Sequence, residues 1–135
     1  MSNDLVTAAA LARENAVAPF SGFKVGAAIE TAGGKVFTGC NIENASLGLT
    51  VCAERVALWK ALSEGEREFT TIAVATDAET PATPCGACRQ LLWEYCGNIA
   101  VLLHSLRGGT TLKIPLAELL PRPFGQSYFS TGKSD

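Results

Sequence analysis

The chain has 135 residues, of which 47% are hydrophobic and 18% are charged, and its formal net charge is −2. A chain of this size buries its own hydrophobic core, so a single domain over residues 1–135 is expected. No run of lysine and arginine forms a basic stripe, which argues against a nucleic acid partner. The high apolar content of so small a domain is consistent with part of its surface being covered in an oligomer.

Membrane and export signals are missing from the sequence. No apolar segment approaches the roughly 18 residues of a membrane span, so no membrane partner is expected. Met1 to Asp4 lack the basic and apolar pattern of a signal peptide, which favours a cytoplasmic location. In that reducing compartment, five cysteines indicate metal binding or catalysis rather than disulfide bonds.

Helices and strands are predicted to alternate along the chain. The capping residues Ser2 to Asp4, followed by apolar residues at helical spacing, predict a first helix to about Val17. Pro19 to Gly22 ends this helix. Phe23 to Ile29 alternates as a strand, and the small residues Gly26 and Ala28 on its second face would let a helix pack closely.

The remaining elements complete an α/β pattern. They are a returning strand over 35–41, a helix from Thr50 or Val51 to Glu64, a strand over 72–75, a third helix between Pro84 and Gly97, a strand over 99–103, an edge strand over 110–114 and a short helix over 116–120. This order predicts a three-layer α/β/α sandwich with a five-stranded mixed sheet. The third helix is expected to turn four residues toward the core, namely Cys88, Leu91, Leu92 and Tyr95. Residues 125–135 are expected to form a loosely ordered tail.

Two cysteines at the start of the third helix indicate a metal site. Cys85 and Cys88 are one helical turn apart, and the exposed N–H groups of a helix N-terminus favour thiolates there. A C-x-x-C pair supplies two of the four ligands that zinc requires. Alone, the same pair is also consistent with half of a structural zinc site or with a thioredoxin-like redox pair.

A third cysteine favours a catalytic zinc over these alternatives. Cys52 also stands at a predicted helix start, and such helix N-termini gather at one edge of a parallel α/β sheet. Cys40, Cys96 and His104 are badly placed to be a fourth ligand, and we interpret each of them as structural. Three ligands and an open position are typical of a catalytic zinc.

Two charged residues follow Cys52 closely and suggest how such a zinc would be used. From the first helical turn, Glu54 can reach the space beyond the helix end and act as general acid and base. Three thiolates weaken the Lewis acidity of zinc, and Arg55 is placed to donate to the sulfurs and offset their charge. Arg89 is a second candidate for that role.

The combined motifs resemble those of a known family. Cys52-Ala53-Glu54, followed by Pro84-Cys85-Gly86-Ala87-Cys88, resembles the signature of the cytidine deaminase family in its small, three-cysteine, homotetrameric form. Three further segments resemble that family, namely Pro19 to Ala28 (its first strand), Asn41-Ile42-Glu43-Asn44 (its ribose-binding segment) and Leu119-Leu120-Pro121 with Phe124 (its C-terminal end).

The resemblance implies a role for each matching residue. Cys52, Cys85 and Cys88 would bind one Zn²⁺ per subunit, and Glu54 would shuttle protons. Phe23 would line the nucleoside pocket, and Asn41 and Glu43 would bind the ribose hydroxyls. The Ala53 backbone and a Glu54 oxygen would form hydrogen bonds with the edge of the pyrimidine. Phe124 would pack on the base of a neighbouring subunit's ligand. The protein would then be a homotetramer with subunit-shared active sites.

The implied activity is hydrolytic deamination of cytidine and 2′-deoxycytidine to uridine and 2′-deoxyuridine in pyrimidine salvage, with tolerance of some modified cytidines. Leu47 departs from the family pattern, because many relatives have a tyrosine there. Within the same chemistry, the alternatives are a blasticidin-type or other aminopyrimidine deaminase and, against the charge pattern, a polynucleotide-editing enzyme. A structural zinc protein or a redox thiol protein is the alternative from another class.

Overall fold

A computed structural model describes residues 2–129 and shows a five-stranded sheet with helices on both of its faces. The helices are α1 (Ser2–Arg13), α2 (Ala53–Ser63), α3 (Gly86–Cys96) and α4 (Leu116–Leu119), and the strands are β1 (Val25–Thr31), β2 (Val36–Cys40), β3 (Phe69–Thr76), β4 (Ala100–Ser105) and β5 (Thr111–Pro115). Short 3-10 helices span Leu47–Leu49 and Gln126–Phe129. Over the part of the chain described, no helix is long and apolar enough to cross a membrane.

Strand direction in the sheet decides where the helices begin. The strand order is β2-β1-β3-β4-β5. β1 is antiparallel to both β2 and β3, and β3 is parallel to β4, so β2, β3 and β4 run in the same direction. Because α2 follows β2 and α3 follows β3, both helices begin at the same edge of the sheet. The predicted mixed sheet of five strands is therefore confirmed, as is the gathering of helix N-termini at one edge.

The two faces of the sheet carry separate hydrophobic clusters. On one face, α1 packs on small side chains of the sheet, among them Ala28 and Ala73. A Cβ atom at Gly26 would overlap the backbone of α1, which confirms that the small residues of this strand permit close packing of a helix. On the other face, α2 and α3 share a larger core with the sheet, including Leu58 and Leu92. These layers form the predicted α/β/α sandwich.

The second helix begins at Ala53 and the third strand at Phe69, not at Thr50 or Val51 and at position 72 as predicted. Two boundaries near the start of the chain were also wrong, because loop interactions replace regular structure there. The first helix ends at Arg13 instead of about Val17, since the Val17 amide donates to the Asn41 carbonyl and forms a bridge with the segment after β2. The first strand begins at Val25 instead of Phe23, because the Asn41 side chain forms hydrogen bonds with the Phe23 carbonyl and the Val25 amide.

Two side chains also lie elsewhere than predicted. Tyr95 is 46% exposed, because Cys96 takes the inward-facing position on the last turn of α3. His104 lies within β4 opposite Thr111, whereas the sequence predicted that it follows the strand. The tail predicted over 125–135 lies partly outside the described residues, and within them Gln126–Phe129 forms a helical turn.

Candidate active site

Two cysteines cap the helices that begin at the shared edge of the sheet. Cys52 is the N-cap residue of α2 and Cys85 is the N-cap residue of α3, each with extended backbone angles. The Cys85 sulfur accepts a hydrogen bond from the Cys88 amide at 3.5 Å, which places Cys88 in the first turn of the same helix. A Cβ atom at Gly86, the first residue of α3, would meet no other heavy atom within 4 Å. The two N-cap positions and the first turn of α3 thus bring the three sulfurs to the same edge of the sheet.

The three sulfurs have the spacing of a zinc site. The Sγ atoms of Cys52 and Cys85 are 3.8 Å apart, and all three sulfurs lie within 4.8 Å of one another. Two sulfurs bound to one zinc at about 2.3 Å with a tetrahedral angle lie about 3.8 Å apart. Across the described residues, no other His, Cys, Asp or Glu joins this group. The group therefore fits zinc in number of ligands, donor type and distance.

The remaining candidate ligands lie elsewhere, as predicted. His104 Nδ1 is 2.7 Å from the Thr111 hydroxyl oxygen, within the sheet. Burial raises the pKa of Cys96 to about 12, which keeps its thiol protonated. Cys40 is the last residue of β2 and also lies outside the sulfur group.

Mutual hydrogen bonding among the thiols concentrates negative charge on one of them. The pKa of Cys52 is lowered to about 5, chiefly by a hydrogen bond from Cys88 and further by Cys85 and the charge of Arg55. The same hydrogen bond, between Cys88 and Cys52, is the main cause that raises the pKa of the Cys88 thiol. The cluster itself favours a single thiolate, at Cys52, because a second negative charge so close to the first is disfavoured.

Arg55 is the cation beside this cluster. Its Nη2 atom lies 3.9 Å from the Cys52 sulfur, and its Nε atom is buried without a hydrogen-bond partner. Contacts with the sulfurs, that with Cys88 first, raise the pKa of Arg55. The geometry predicted for this residue is therefore present.

Arg89, the second candidate, does not contact the sulfurs. Its guanidinium donates to the Pro84 carbonyl, the Leu119 carbonyl and the Thr83 hydroxyl, each at 2.8 Å. It thereby ties the loop before Cys85 to the end of α4, a role that a sequence pattern does not reveal.

Glu54 lies beside the sulfur group and is nearly inaccessible to solvent. Its side chain is 5% exposed, and burial is the main cause that raises its pKa to about 7. The nearby Cys52 thiolate raises this pKa further, whereas Arg55 lowers it. A carboxyl group with a pKa near neutrality can both accept and release a proton at physiological pH.

A cavity of about 330 Å³ opens next to these groups. Phe23, Asn41, Glu43, Ala53 and Glu54 line it together with Cys52 and Cys85, so the predicted substrate-binding and catalytic residues share one space with two of the predicted metal ligands. Its other walls are formed by Ser21, Val25, Thr50, Val51, Val74, Thr76, Ala82 and Thr83.

The polar residues after β2 have structural partners that the sequence did not reveal. Asn41 accepts from the Val25 amide and donates to the Phe23 carbonyl, both at 2.8 Å, so one N–H and one lone pair remain for a ligand. Glu43 accepts from the Phe20 amide at 2.9 Å, from the Ser21 amide at 3.0 Å and from the Ser21 hydroxyl. Sequence reasoning treated Ser21 only as part of a turn, although a serine after Pro-Phe could have signalled such a capping contact.

Phe124 does not line the cavity within the single chain. It is 56% exposed and stacks on Tyr128 with ring centroids 5.3 Å apart, and the Phe129 ring meets it edge-on at 5.6 Å. Leu47 is also exposed, at 77%, in a shallow depression with Phe20 and Glu43. A role for Phe124 in a neighbouring site therefore stays a prediction.

A group of three cysteine sulfurs with a buried carboxyl group beside it, on the wall of a small-molecule cavity, is typical of one class of protein, the hydrolytic zinc enzymes. Comparison with known proteins gives the family. Residues 1–103 match the model of the cytidine and deoxycytidylate deaminase zinc-binding region, and the chain belongs to this family.

Individual proteins agree with this assignment over most of the chain. The chain is 50% identical over 121 residues to a cytidine deaminase of Halalkalibacterium halodurans, with 89% of this chain and 91% of the relative covered. It is 44% identical over 127 residues to a cytidine deaminase of Sporosarcina psychrophila, covering 93% of each. The crystal structure of a cytidine deaminase from Burkholderia pseudomallei superposes with a TM-score of 0.87 and 48% identity, covering 92% of this chain and 99% of that one. The resemblance drawn from the motifs is confirmed.

Proposed function

We propose that this protein hydrolyses cytidine and 2′-deoxycytidine to uridine and 2′-deoxyuridine with release of ammonia. The observation that carries the proposal is that buried Glu54 lines the same cavity as Cys52 and Cys85 of the three-sulfur group, and that this cavity continues to Asn41 and Glu43. This arrangement combines a metal site, a proton carrier and a polar end suited to a sugar. The similarity to proteins named cytidine deaminase supports it independently.

Cys52, Cys85 and Cys88 would hold one zinc ion per chain, for which their sulfur spacing is suitable. When bound, zinc supplies Lewis acidity and lowers the pKa of a water molecule toward neutrality. Arg55 would hold the Cys52 thiolate in place and offset its charge.

Glu54 would carry both protons of the reaction. It takes one proton from the attacking water and delivers it to ring nitrogen N3, while the water oxygen forms a bond with C4. It then takes the second proton from the new hydroxyl group and delivers it to the amino group. The C4–N bond breaks, ammonia leaves, and the oxygen remains on C4 as the carbonyl of uridine. A pKa of about 7 suits a group that must be alternately base and acid.

The other cavity residues would select the substrate. The Ala53 backbone and a Glu54 oxygen would read the pyrimidine edge, and Phe23 would cover the apolar face of the nucleoside. Asn41 and Glu43 would use their remaining hydrogen-bond capacity on the sugar hydroxyls. Polar partners at the sugar end of the cavity favour nucleosides over the free base. We expect the cavity to accept some modified cytidines as well.

We also propose that the chain acts as a homotetramer in which Phe124 of one subunit packs on the base bound by another. Phe124 is exposed and stacks on Tyr128, and such an aromatic surface is suited to contact with another subunit. The exposed side chains of Leu47 and Trp59 would add to an apolar subunit interface. Free thiols at a metal site suit a reducing compartment, so the reaction would take place in the cytoplasm as a step of pyrimidine salvage.

A substrate panel tests the proposed function. Purified protein with measured zinc content is assayed for ammonia release and for loss of the cytosine chromophore, with cytidine, 2′-deoxycytidine, cytosine, N4-methylcytidine and blasticidin S. The proposal predicts turnover of the first two with one zinc per chain. Preference for blasticidin S would indicate the related antibiotic deaminase. A zinc-containing protein without turnover would indicate a structural zinc, and a zinc-free protein with a reducible Cys85–Cys88 disulfide would indicate a redox protein.

A further inference from the structure

The hydroxyl group of Ser21 connects two walls of the cavity. It donates to Glu43 Oε2 and accepts from the Phe23 amide at 3.0 Å. Both Glu43 and Phe23 line the cavity, as does Ser21 itself. One small side chain therefore fixes the relative position of a polar and an aromatic group at the predicted sugar end.

The Glu43 carboxylate is held by one loop on both of its oxygens. Oε1 accepts from two backbone amides, those of Phe20 and Ser21, and Oε2 accepts from the Ser21 hydroxyl. The hydroxyl is thus the partner that fixes Oε2. These contacts lower the pKa of Glu43, with the Ser21 hydroxyl as the largest cause, so the group is an anion at neutral pH.

Hydrogen-bond capacity limits what Glu43 can offer a ligand. A carboxylate has about four acceptor positions, and the loop fills three of them. The position that remains is on Oε2, and its direction depends on the rotation of the carboxylate plane. Without the Ser21 hydroxyl, Oε2 would be free to bind water, and the remaining acceptor would no longer have a fixed direction.

We propose that Ser21 is a positioning residue that orients Glu43 toward a sugar hydroxyl and so strengthens the binding of nucleosides that carry that hydroxyl. The inference rests on the proposed function and extends it to a residue outside the zinc and proton-transfer groups. Ser21 acts on the sugar through Glu43. The bond-breaking step at C4 stays with Glu54.

Four variants test the inference in the zinc-loaded enzyme. They are Ser21→Ala, Ser21→Thr, Glu43→Gln and the double variant Ser21→Ala with Glu43→Gln. Ser63→Ala is the matched control, because the Ser63 hydroxyl also donates one hydrogen bond, to the Lys60 carbonyl, at the opposite end of α2. The kcat and KM are measured with cytidine and with 2′,3′-dideoxycytidine, which lacks both secondary hydroxyls.

The expected result is a sugar-specific loss of binding. Ser21→Ala should raise the KM for cytidine roughly tenfold, the scale of one charge-assisted hydrogen bond, with kcat changed by less than about twofold. Its kcat/KM for dideoxycytidine should stay close to that of the unsubstituted enzyme. Ser21→Thr keeps the hydroxyl and should restore the KM, and in the Glu43→Gln background Ser21→Ala should add little.

Several outcomes would overturn the inference. An equal loss of kcat/KM on both substrates would show that Ser21 supports the cavity generally, and a full additional loss in the Glu43→Gln background would show that it acts independently of Glu43. An unchanged KM in Ser21→Ala, with normal deamination by the parent enzyme, would refute the inference and leave the proposed function intact. A parent enzyme that deaminates neither nucleoside would refute both.

Discussion

Replacement of Glu54 by glutamine separates catalysis from folding at this site. The amide has nearly the same shape as the carboxyl group, yet it cannot take a proton from water or deliver one to N3 and the leaving amine. General acid–base catalysis contributes about 10²- to 10⁴-fold per transfer, and Glu54 would serve two transfers. We therefore expect Glu54→Gln to lower kcat at least about 10³-fold while it retains one zinc per chain.

The same substitution should stabilise the zinc-free protein at alkaline pH. Burial raises the pKa of Glu54 from 4.5 to about 7, which corresponds to about 3 kcal/mol of differential free energy between its two protonation states. Because the folded-state pKa is the higher one, the protonated group stabilises the fold fully below pH 4.5, and this contribution is lost as the pH rises through about 7. Glutamine stays neutral, so the variant should gain about 3 kcal/mol over the parent protein between these limits.

Urea unfolding at pH 4.5 and pH 8.5 measures this difference, with chelator and reductant present. The comparison between variants cancels the part of the cysteine titration that does not depend on the charge of residue 54. Glu64→Gln, an exposed residue at the end of the same helix, is the control and should show no such pH-dependent gain. Activity above about one hundredth of the parent rate would refute the proton-carrier role. A variant that is no more stable at pH 8.5 would refute the burial argument.

Three further substitutions test the surroundings of the site. Arg55→Gln should lower zinc affinity or kcat about 10- to 100-fold, measured by competition with a chromophoric chelator and by steady-state kinetics, and unchanged values would remove its role at the sulfurs. Gly39→Ala places a Cβ atom 2.6 Å from backbone atoms of α2 and should lower the free energy of unfolding by roughly 1–3 kcal/mol. The control Gly33→Ala, whose Cβ atom would make only an ordinary contact with the Thr31 hydroxyl oxygen at 3.8 Å, should be neutral. Equal stability of these two variants would contradict the packing argument. Cys96→Ser, which lies outside the sulfur group, should leave the zinc content at one per chain, and zinc loss would show that the ligand set is wrong.

The fold and the metal group were predictable because they depend on local signals. Small residues in the first strand indicated a closely packed helix, and Gly26 indeed faces α1 at a distance that admits no side chain. Cysteines at two helix starts were expected at one sheet edge, and the common direction of β2, β3 and β4 places them there. Helix capping and turn residues are short-range properties that a sequence carries directly.

Side-chain contacts between distant segments were not predictable in the same way. Asn41 was expected to face a ligand, yet half of its hydrogen-bond capacity holds the start of β1. Arg89 was considered a partner of the sulfurs, yet it binds backbone carbonyls of two different segments. Tyr95 was placed in the core by helical spacing, although Cys96 fits that position. In each case the contact depends on which loop lies within a few ångströms, and no periodic pattern records that.

Electrostatic balance explains why the charged residues near Cys52 occur together. Three thiolates around one divalent cation leave a net negative charge, and this charge would disfavour ionisation of a buried carboxyl group beside it. Arg55 and the N-termini of α2 and α3 supply the compensating positive potential. Arg55 lowers the pKa of Glu54 while burial and the Cys52 thiolate raise it, and the net result lies near neutrality. We therefore expect Arg55 to act on Glu54 as well as on the sulfur ligands, as one of the groups that lower the pKa of this carboxyl and favour release of its proton.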